Sequence, residues 1–545
     1  MVYWVKMEQF IISRGGRMKS KSLEKYISVN GVEKINFEEL LKSLSEIYGD
    51  KVAIRDRSGG VTYKDLIVKS MKFAGKFEGV GLKNDDIVLL QCTNTKEFVE
   101  ILFSLLIMGV IPVLVLPGYR EKEIINIIKK TNASAYIAPE EYLGYKYNQI
   151  AHEINNQFSS VITILVDESF TNLDNEKELS ENWKGKVSYD DVAVLLMSGG
   201  TTGEPKLIPR THADYIYNAR MCAKRSGLDE SSIYLAAASI AHNMPLACPG
   251  ILGTLCSGGT AVLSYYLSPD EIMDLIESER VTITNFVPTT AKLCLELLEI
   301  DDFDISTLKV ILIGGARLDE KLAMEVMDNF HCILQNQFGT AEGLILVTAL
   351  DDNRECCLRC QGKPISDADI IRIIDSNGED VKEGESGELV VKGPYTIESY
   401  YKEPDNKSRF TKDGFYKTGD KAVIKEDGNV CILGRIKEQI NRAGEKILPS
   451  EIEDELIQIE SINKAAVVGI PDNLLGERSC AFIEIRQNFK TDEQKICEDM
   501  LRRGVAQYKI PDQIIFINVW PLTKMGKIDS NRLREMAKDK PIMEK

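Results

Sequence analysis

Short apolar runs rich in β-forming residues alternate with helical segments through much of this chain. Between about residues 36 and 315 the pattern predicts helices at 37–48, 63–78, 95–108, 213–226, 269–277 and 290–298, and strands at 52–55, 86–90, 113–116, 135–138, 191–197, 234–237, 282–286 and 310–313. Strands that alternate with helices in this way are typical of α/β folds. The sequence therefore predicts an α/β architecture.

The chain is also too long, at 545 residues, to fold around one hydrophobic core. From about residue 369 the pattern becomes richer in strands, and a glycine followed by charged residues at 434–440 resembles a joint between two units. We predict four parts: an N-terminal extension (1–30), a large domain of stacked α/β subdomains with a β-rich subdomain (31–434), a hinge (435–440) and a small mobile α+β C-terminal domain (441–545).

The charge balance and the apolar pattern exclude some partners. The net charge is −16, from 67 basic and 83 acidic residues, which disfavours nucleic-acid and basic membrane binding. The longest apolar stretch, 101–117, is broken by Ser104, Gly109 and Pro112, and is shorter than the ~20 residues that span a membrane. No secretory signal is recognisable at the N-terminus. We expect a cytoplasmic protein without nucleic-acid or membrane partners.

The twelve cysteines show no disulfide-scaffold spacing. Cys357 and Cys360 form one C-x-x-C pair, preceded by Cys356, but no second pair lies at zinc-ribbon spacing. A metal site at this pair is the less favoured interpretation, and free thiols are the favoured one. The four histidines are too dispersed to suggest a metal cluster.

A phosphate-binding loop is indicated directly after the predicted strand 191–197. The loop, 198–206, reads Ser-Gly-Gly-Thr-Thr-Gly-Glu-Pro-Lys. Glycines let backbone N–H groups approach an anion, while hydroxyls and a lysine add donors and charge. It is not a Walker A motif, because Gly203 is followed by Glu204; alone, it is equally consistent with an ordinary turn. The candidate ligands are Ser198, Gly199, Gly200, Thr201, Thr202, Gly203 and Lys206.

Later segments carry related chemistry. Gln337–Gly343 combines an aromatic, a glycine turn and a carboxylate, and such groups stack on adenine and hold Mg²⁺. The segment 416–420 ends in Asp420, which suits ribose hydroxyls; Arg435 follows a glycine; and 521–527 ends in Lys527. Each segment alone is also explained by a core phenylalanine, a surface turn or a solvated lysine.

Together and in this order, the motifs resemble the adenylate-forming superfamily of acyl- and aryl-CoA synthetases, peptide-synthetase adenylation domains and luciferases. The resemblance covers almost the whole chain from about residue 30. Within it, the chain is most similar to the stand-alone aryl-acid adenylating enzymes of siderophore synthesis, which include the 2,3-dihydroxybenzoate–AMP and salicylate–AMP ligases. The closer match lies in the segments 241–246, 338–344, 393–396, 441–446, 475–480 and 508–512.

The resemblance implies a first step that uses ATP and Mg²⁺. The aryl carboxylate attacks the α-phosphorus of ATP and pyrophosphate leaves, which requires positioning and charge neutralisation. The catalytic residues would be Lys527, Glu342 and Arg435. By the family pattern, loop 198–206 holds the β- and γ-phosphates, Glu342 holds Mg²⁺, Asp420 binds the ribose beside Arg435, Lys527 bridges the carboxylate and the phosphate, and Gly314, Gly315, Gln337, Phe338, Gly339, Thr340 and Ala341 shape the adenine and aryl slots.

In the second step implied by the resemblance, a phosphopantetheine thiol attacks the aryl-adenylate. The small domain rotates between the steps, so that the 441–446 loop replaces Lys527 at the active site. Lys437 matches the hinge position, and Gly444 lines the thiol tunnel. One departure is Ala443, which stands where the family carries glycine and adds a methyl group at a position of close approach.

Two residues bear on the substrate. Amino-acid-activating relatives carry an aspartate where this chain has Asn243, and a neutral amide suits a phenolic hydroxyl but cannot balance a buried ammonium. His242 beside it either packs on the ring or is structural. Cys248 matches a serine of the dihydroxybenzoate enzymes. Because a thiol is a poor hydrogen-bond partner, Cys248 favours salicylate, although 2,3-dihydroxybenzoate stays open.

The thiol acceptor also stays open at the level of sequence. A phosphopantetheinylated aryl carrier protein is expected from the closer resemblance, and free coenzyme A is the alternative. A basic cluster that would grip the coenzyme A nucleotide is not recognisable. A non-catalytic binder is disfavoured because Glu342, Asp420 and Lys527 are all present.

Overall fold

The computed structural model describes residues 10–12, 18–20, 23–27, 31–91, 93–183, 186–198, 206–316, 318, 320–403, 406–436, 439–447, 449–521 and 528–538. It confirms the α/β class, with two large sheets, a smaller antiparallel sheet and a separate C-terminal unit. No helix in the described ranges has the length and apolar character of a membrane span.

The first large sheet has six strands and is parallel except at one edge. Its strands, in spatial order, are Ile162–Val166, Ala135–Pro139, Ile87–Gln91, Ile111–Val115, Val192–Ser198 and Lys206–Thr211. The last strand is antiparallel to its neighbour and contains Pro209, which an edge strand tolerates because one side of it needs no backbone donor.

The second large sheet has nine strands and a parallel centre flanked by antiparallel edges. In spatial order the strands are Lys363–Pro364, Leu344–Val347, Ile333–Thr340, Val310–Ile313, Ile283–Phe286, Ile233–Ala236, Thr260–Leu263, Val52–Asp56 and Gly59–Thr62. The helices of this large unit are Phe37–Tyr48, Tyr63–Gly79, Lys96–Met108, Glu121–Thr131, Asn148–Gln157, Glu168–Thr171, His212–Arg225, Asn243–Ala247, Gly250–Cys256, Pro269–Ser278, Pro288–Leu298, Glu320–Phe330 and Arg354–Arg359.

The two sheets stack with helices between them and outside them. Successive side chains of a strand point to opposite faces, and the burial follows this rule: Val88 and Leu90 lie in the core between the sheets, whereas Leu89 lies in the core outside the first sheet. In the second sheet, Tyr234 faces the central core and Leu235 the outer one. Both sheets are therefore covered on both faces, as the alternating sequence pattern requires.

Local sequence signals set several helix starts. Asn36 caps the helix Phe37–Tyr48: its Oδ1 accepts from the Glu39 backbone N–H at 2.9 Å, and Glu39 Oε2 accepts from the Asn36 N–H at 3.0 Å. This reciprocal pair satisfies two N–H groups that lack a partner within the helix. Predicted elements at 37–48 and 310–313 match the structure at both ends.

A four-stranded antiparallel sheet forms the β-rich part predicted after residue 369, with strands Ile370–Ile374, Gly387–Lys392, Tyr416–Ile424 and Val430–Arg435. Near the N-terminus, Phe10–Ile12 pairs with Met18–Ser20, and Leu23 and Tyr26 are buried against the central core. Glu141–Tyr142 and Tyr145–Lys146 form a short hairpin.

The C-terminal unit is a mixed five-stranded sheet that carries helices. Its strands are Ile440–Arg442, Glu445–Ile447, Ile462–Asp472, Gly476–Ile485 and Gln513–Phe516, and its helices are Pro449–Ile457, Glu493–Arg502 and Ser530–Lys538. Val467 and Val468 alternate between two separate cores on its faces. The unit is thus an α+β fold with cores of its own, whereas the exact domain boundaries stay a prediction.

The cysteine prediction is wrong at two positions. Cys360 is bonded to Cys431, with Cα atoms 4.2 Å apart, so neither residue is a free thiol as expected. The two meet because the segment after the helix Arg354–Arg359 joins the strand Val430–Arg435, where the Gln361 N–H donates to the Val430 carbonyl. Such a long-range approach leaves no trace in local spacing. Cys356 and Cys357 are free and buried, and the described residues hold no group of three or more metal-ligating side chains.

Candidate active site

The expected phosphate loop connects two antiparallel strands at the edge of the first sheet. Ser198 ends one strand and pairs in register with Lys206, which begins the next. The loop residues Gly199, Gly200, Thr201, Thr202 and Gly203 lie outside the described residues, as does the side chain of Ser198. The two ends of the expected loop therefore lie side by side at this edge of the sheet.

Lys206 and Glu342 meet around one tyrosine. Lys206 Nζ lies 4.8 Å from the centre of the Tyr400 ring, and Tyr400 Oη donates to Glu342 Oε1 at 2.7 Å. Burial and the nearby charge of Arg409 lower the pKa of Lys206 to about 8. Glu342 is buried, and its backbone carbonyl accepts from Ile397. A cation and a carboxylate are therefore held together beside the phosphate loop.

The turn after the strand Ile333–Thr340 is closely packed. A Cβ on Gly343 would lie 2.2 Å from the Tyr395 carbonyl oxygen, and Gly343 has φ +117°, so only glycine fits. On the neighbouring strand end, a Cβ on Gly314 would lie 3.0 Å from the Gln337 carbonyl oxygen. Phe338 is half-buried and packs against the central core. The expected adenine-binding residues therefore lie on or directly after two neighbouring strands of the second sheet, Val310–Ile313 and Ile333–Thr340.

Asp420 and Arg435 are neighbours in the four-stranded sheet. Their Cα atoms are register partners, and Asp420 is 3% exposed. The Asp420 backbone N–H donates to Thr418 Oγ1 at 3.1 Å, which fixes the strand locally. The side chain of Arg435 lies outside the described residues, as do the expected hinge residue Lys437 and the expected catalytic Lys527.

A pocket of neutral polar groups surrounds Asn243, at the start of the short helix Asn243–Ala247. Tyr215 Oη donates to Asn243 Oδ1 at 2.9 Å, and Asn243 Nδ2 donates to Cys248 Sγ at 3.3 Å. Gln337 Nε2 donates to the Cys248 carbonyl at 3.0 Å, which ties this helix to the strand Ile333–Thr340. A primary amide has two N–H groups and two lone pairs, so Asn243 retains bonding capacity for a ligand.

Behind this pocket lies a buried arginine that the sequence reasoning missed. Arg210 is 0% exposed; its Nε donates to Asp214 Oδ1 at 2.8 Å, and its terminal nitrogens donate to Asn218 Oδ1 and to the Ala341 carbonyl, both at 3.4 Å. Asn218 in turn donates to the Ala247 carbonyl at 2.7 Å. Only Asp214 and Asn218 are one helical turn apart, on the helix His212–Arg225; Arg210 lies on the preceding strand, so no spacing rule indicates this group.

The hairpin of the C-terminal unit reaches the pocket. Glu445 Oε1 lies 3.4 Å from His242 Nε2, and a Cβ on Gly444 would lie 3.2 Å from Val287 Cγ1. Although burial favours its neutral form, the bond from His242 and the charges of Lys509 and Arg442 lower the pKa of Glu445. The hairpin therefore contacts the large domain at His242 and Val287.

The backbone conformation of the hairpin turn makes an alanine at position 443 unfavourable. Ala443 and Gly444 join two paired strands and have φ +49° and +90°, the signs that a two-residue type I′ turn requires. An alanine in left-handed backbone is disfavoured by roughly 1–2 kcal/mol. The Ala443 N–H donates to the Leu475 carbonyl at 2.7 Å, which helps to hold the turn.

The described residues bring several of the expected site residues close together. Lys206 and Glu342 meet at one side, Gly314 and Gln337 line the middle, and Asn243 and Cys248 form the far pocket. A cleft of about 1950 Å³ between the two units is lined by Ala316 on the large unit and by Asn441 and Lys446 on the hairpin. A large α/β unit that carries the expected phosphate loop, faced by a small unit, is the arrangement expected of a nucleotide-dependent two-domain enzyme.

Comparisons with known proteins identify the family. The model of the AMP-binding enzyme family matches residues 43–401, and that of the AMP-binding enzyme C-terminal domain matches 451–527. This chain belongs to the AMP-binding enzymes.

Named relatives cover nearly the whole chain. It is 42% identical over 508 residues to the 2,3-dihydroxybenzoate-AMP ligase of Bacillus subtilis, covering 92% of this chain and 94% of the relative. It is 36% identical to the salicyl-AMP ligase / salicyl-S-ArCP synthetase of Mycobacterium tuberculosis, covering 91% and 90%. The apo structure of Mycobacterium smegmatis MbtA superposes with a TM-score of 0.71 at 33% identity, covering 94% and 97%.

Proposed function

We propose that this protein activates an aryl acid with ATP, releases pyrophosphate, and transfers the aryl group from the adenylate to a phosphopantetheine thiol. The observation that carries the proposal is the neutral pocket at Asn243. Tyr215, Cys248, Asn218 and Gln337 are its described hydrogen-bonding neighbours, and none of the four is acidic. A neutral amide with these neutral neighbours suits the hydroxyl of a hydroxybenzoate, and at this point it offers a substrate ammonium no counter-charge.

In the first step, the protein mainly positions charged groups. Loop 198–206 would hold the β- and γ-phosphates, with Lys206 contributing its charge from the strand end. Asp420 would bind the ribose of ATP, and its register partner Arg435 would lie beside the ribose and the phosphates. Lys527 would bridge the aryl carboxylate and the α-phosphate. Fixed cations placed where negative charge develops lower the barrier more than they would in water.

Glu342 is the proposed magnesium ligand. Its carboxylate is buried, is oriented by Tyr400 and lies near Lys206. Magnesium prefers oxygen ligands and would bind here between this carboxylate and the phosphates of ATP. Burial and the Glu342 charge raise the pKa of Tyr400 far above its ordinary range, so this tyrosine remains a donor to Glu342. Bound magnesium supplies charge neutralisation for the departing pyrophosphate.

Salicylate is the proposed acid, because of Cys248. Its sulfur already receives N–H groups from Asn243 at 3.3 Å and Asn218 at 3.7 Å. A thiol is only a weak partner for a further hydroxyl, so a second ring hydroxyl beside Cys248 would be poorly paired. 2,3-Dihydroxybenzoate is the competing substrate.

In the second step, the hairpin 441–446 would line the path of the thiol. The hairpin lies against His242 and Val287 in this structure, which supports its role in the transfer step. We propose an aryl carrier protein as the acceptor, in line with the relative named salicyl-S-ArCP synthetase. Free coenzyme A is the alternative acceptor.

ATP–pyrophosphate exchange tests the proposal. We expect exchange with salicylate, less with 2,3-dihydroxybenzoate, and little with benzoate, 3-hydroxybenzoate or amino acids. Asn243→Asp should abolish exchange with aryl acids, since it places a carboxylate beside an anionic substrate. Asn329→Asp is the matched control, because it makes the same change at an exposed position on the helix Glu320–Phe330. Exchange with an amino acid and with no aryl acid would contradict the proposal.

A further inference from the structure

The two domains meet at a second place, away from the hairpin, where charged side chains make the contact. Lys509 of the small domain lies with Nζ 3.4 Å from Glu123 Oε1 of the large domain and 3.0 Å from Glu451 Oε2 of its own domain. Beside this pair, the rings of Tyr119 and Tyr508 stack, with centres 6.5 Å apart. Lys122 pairs with Glu455 across the same interface.

These charges are shielded from water. The side chains of Lys509, Glu123 and Glu451 are 14–15% exposed. Burial alone would lower the pKa of Lys509, but the carboxylates of Glu451 and Glu123 outweigh burial and raise it above the ordinary lysine range. An ion pair at such a site is screened less by salt than one on the open surface. Its contribution to the contact between the domains is lost when either partner is replaced.

The large-domain side of the contact is built to be rigid. Gln91 Nε2 donates to the carbonyls of Leu116 and Tyr119 at 2.8 and 3.0 Å, and Tyr147 Oη donates to that of Pro117 at 2.8 Å. Arg120 donates to the Pro117 and Tyr119 carbonyls, both at 2.9 Å, while its guanidinium lies 3.8 Å from the Tyr145 ring centre. Three side chains therefore fix a short loop that contains no residue expected in the reaction.

Both carboxylate oxygens of Glu123 make contacts at this loop. Its Oε2 accepts from the Arg120 backbone N–H at 3.1 Å and so caps the helix Glu121–Thr131, while its Oε1 faces Lys509. A glutamine in this position can still cap the helix. Glu123→Gln consequently removes the charge that faces Lys509 and keeps the local structure.

The contact also lies close to the transfer site. The positive charge of Lys509 acts on Glu445, whose carboxylate lies 3.4 Å from His242 Nε2. On the other flank of the hairpin, the described contacts between the domains include two side chains that donate to backbone carbonyls, Thr289 to Leu474 at 2.7 Å and Lys292 to Asn473 at 3.2 Å. Of these two described sets of contacts between the domains, the one around Lys509 therefore contains the ion pairs.

We propose that the segment 119–123 is a docking point that holds the small domain in the transfer arrangement, and that Lys509 is the positioning residue that engages it through Glu123. This inference rests on the proposed function, because it assigns the contact to the second step. By the family pattern, the first step would place Lys527, and not the hairpin 441–446, at the active site. The docking point therefore supports transfer and contributes nothing to adenylation.

The test measures both steps in the full-length protein. Adenylation is followed by ATP–pyrophosphate exchange with salicylate, and transfer by single-turnover reaction of the enzyme-bound adenylate with pantetheine. We expect Glu123→Gln and Lys509→Met each to slow transfer by about fivefold, the effect of a partly buried ion pair, with exchange unchanged. Lys509→Arg keeps the positive charge and should transfer at about the rate of the unmodified protein. The control is Lys76→Met, which removes an equally shielded lysine (13% exposed, 3.4 Å from Glu176) within the large domain.

The double variant Glu123→Gln/Lys509→Met supplies the sharper criterion. If the two residues act as one pair, it transfers no more slowly than the slower single variant. Multiplied losses, or equal losses in exchange and transfer, would overturn the docking point. Normal transfer in every variant would also overturn it and leave the proposed function intact, whereas absence of exchange in the unmodified protein would refute the proposed function itself.

Discussion

Replacing the Cys248 thiol by a hydroxyl tests the assignment of the aryl acid. Cys248 is 3% exposed, and its sulfur accepts from Asn243 Nδ2 at 3.3 Å and Asn218 Nδ2 at 3.7 Å. Cys248→Ser places at the same point an oxygen that accepts strongly and can donate to a second ring hydroxyl. The variant should therefore gain activity with 2,3-dihydroxybenzoate relative to salicylate.

The size of the change follows from the cost of an unpaired hydroxyl. A buried polar group without a partner costs about 1–3 kcal/mol, which corresponds to about 5- to 150-fold in a ratio of kcat/KM values. Because the weak thiol recovers part of that cost in the unmodified protein, we expect a shift near the lower end, about tenfold. The change should appear in the ratio of the two acids rather than in the KM for ATP.

The assay is ATP–pyrophosphate exchange with each acid over a range of concentrations. Cys294→Ser is the matched control, because Cys294 is also a fully buried thiol but belongs to the core outside the second sheet. It should leave the ratio unchanged. An active Cys248→Ser variant with an unaltered ratio would refute the reasoning, as would an unmodified protein that already prefers 2,3-dihydroxybenzoate.

Three further predictions address the hairpin and the phosphate site. Gly444→Ala should slow thiol transfer by about tenfold and spare pyrophosphate exchange, because its methyl group would lie 3.2 Å from Val287 Cγ1 in left-handed backbone; Val287→Ala should recover part of the loss, and an equal fall in both steps would contradict this. Ala443→Gly should raise the free energy of unfolding by about 0.5 kcal/mol in urea titrations, since relief of the left-handed alanine exceeds the added flexibility of glycine; a destabilised variant would argue against the type I′ turn. The kcat/KM for ATP should fall as the pH rises through about 8, because Lys206, whose pKa burial lowers to that value, loses its charge; Lys206→Arg should remove the fall, and a profile shared by both proteins would exclude Lys206 as its source.

Elements with a strong local signal could be predicted from the sequence. The helix Phe37–Tyr48 has its capping box, and the strand Val310–Ile313 is a fully apolar run that ends at two glycines. The strand Lys206–Thr211 was not predicted, because its proline argues against a strand and its place at a sheet edge is a property of the whole fold. Local patterns thus predict which segments fold as helix or strand, but not which of them lie at an edge.

The site shows the same division between local motif and distant contact. Asn243 and Cys248 could be singled out because they lie in one recognisable segment. Their supports could not: Tyr215 reaches Asn243 from a different helix, and Tyr400 orients Glu342 from 58 residues away. The pair of Lys509 and Glu123 joins residues 386 positions apart. No spacing rule predicts such pairs, since they depend on how sheets and domains pack.

Detection of the intermediate itself tests the central claim most directly. The protein is incubated with ATP, magnesium and a mixture of salicylate, 2,3-dihydroxybenzoate and amino acids, without any thiol, and the bound product is identified by mass spectrometry. We predict salicyl-adenylate as the main species, formed with an equal amount of pyrophosphate and consumed when pantetheine is added. An aminoacyl-adenylate, or the absence of any acyl-adenylate, would contradict the account.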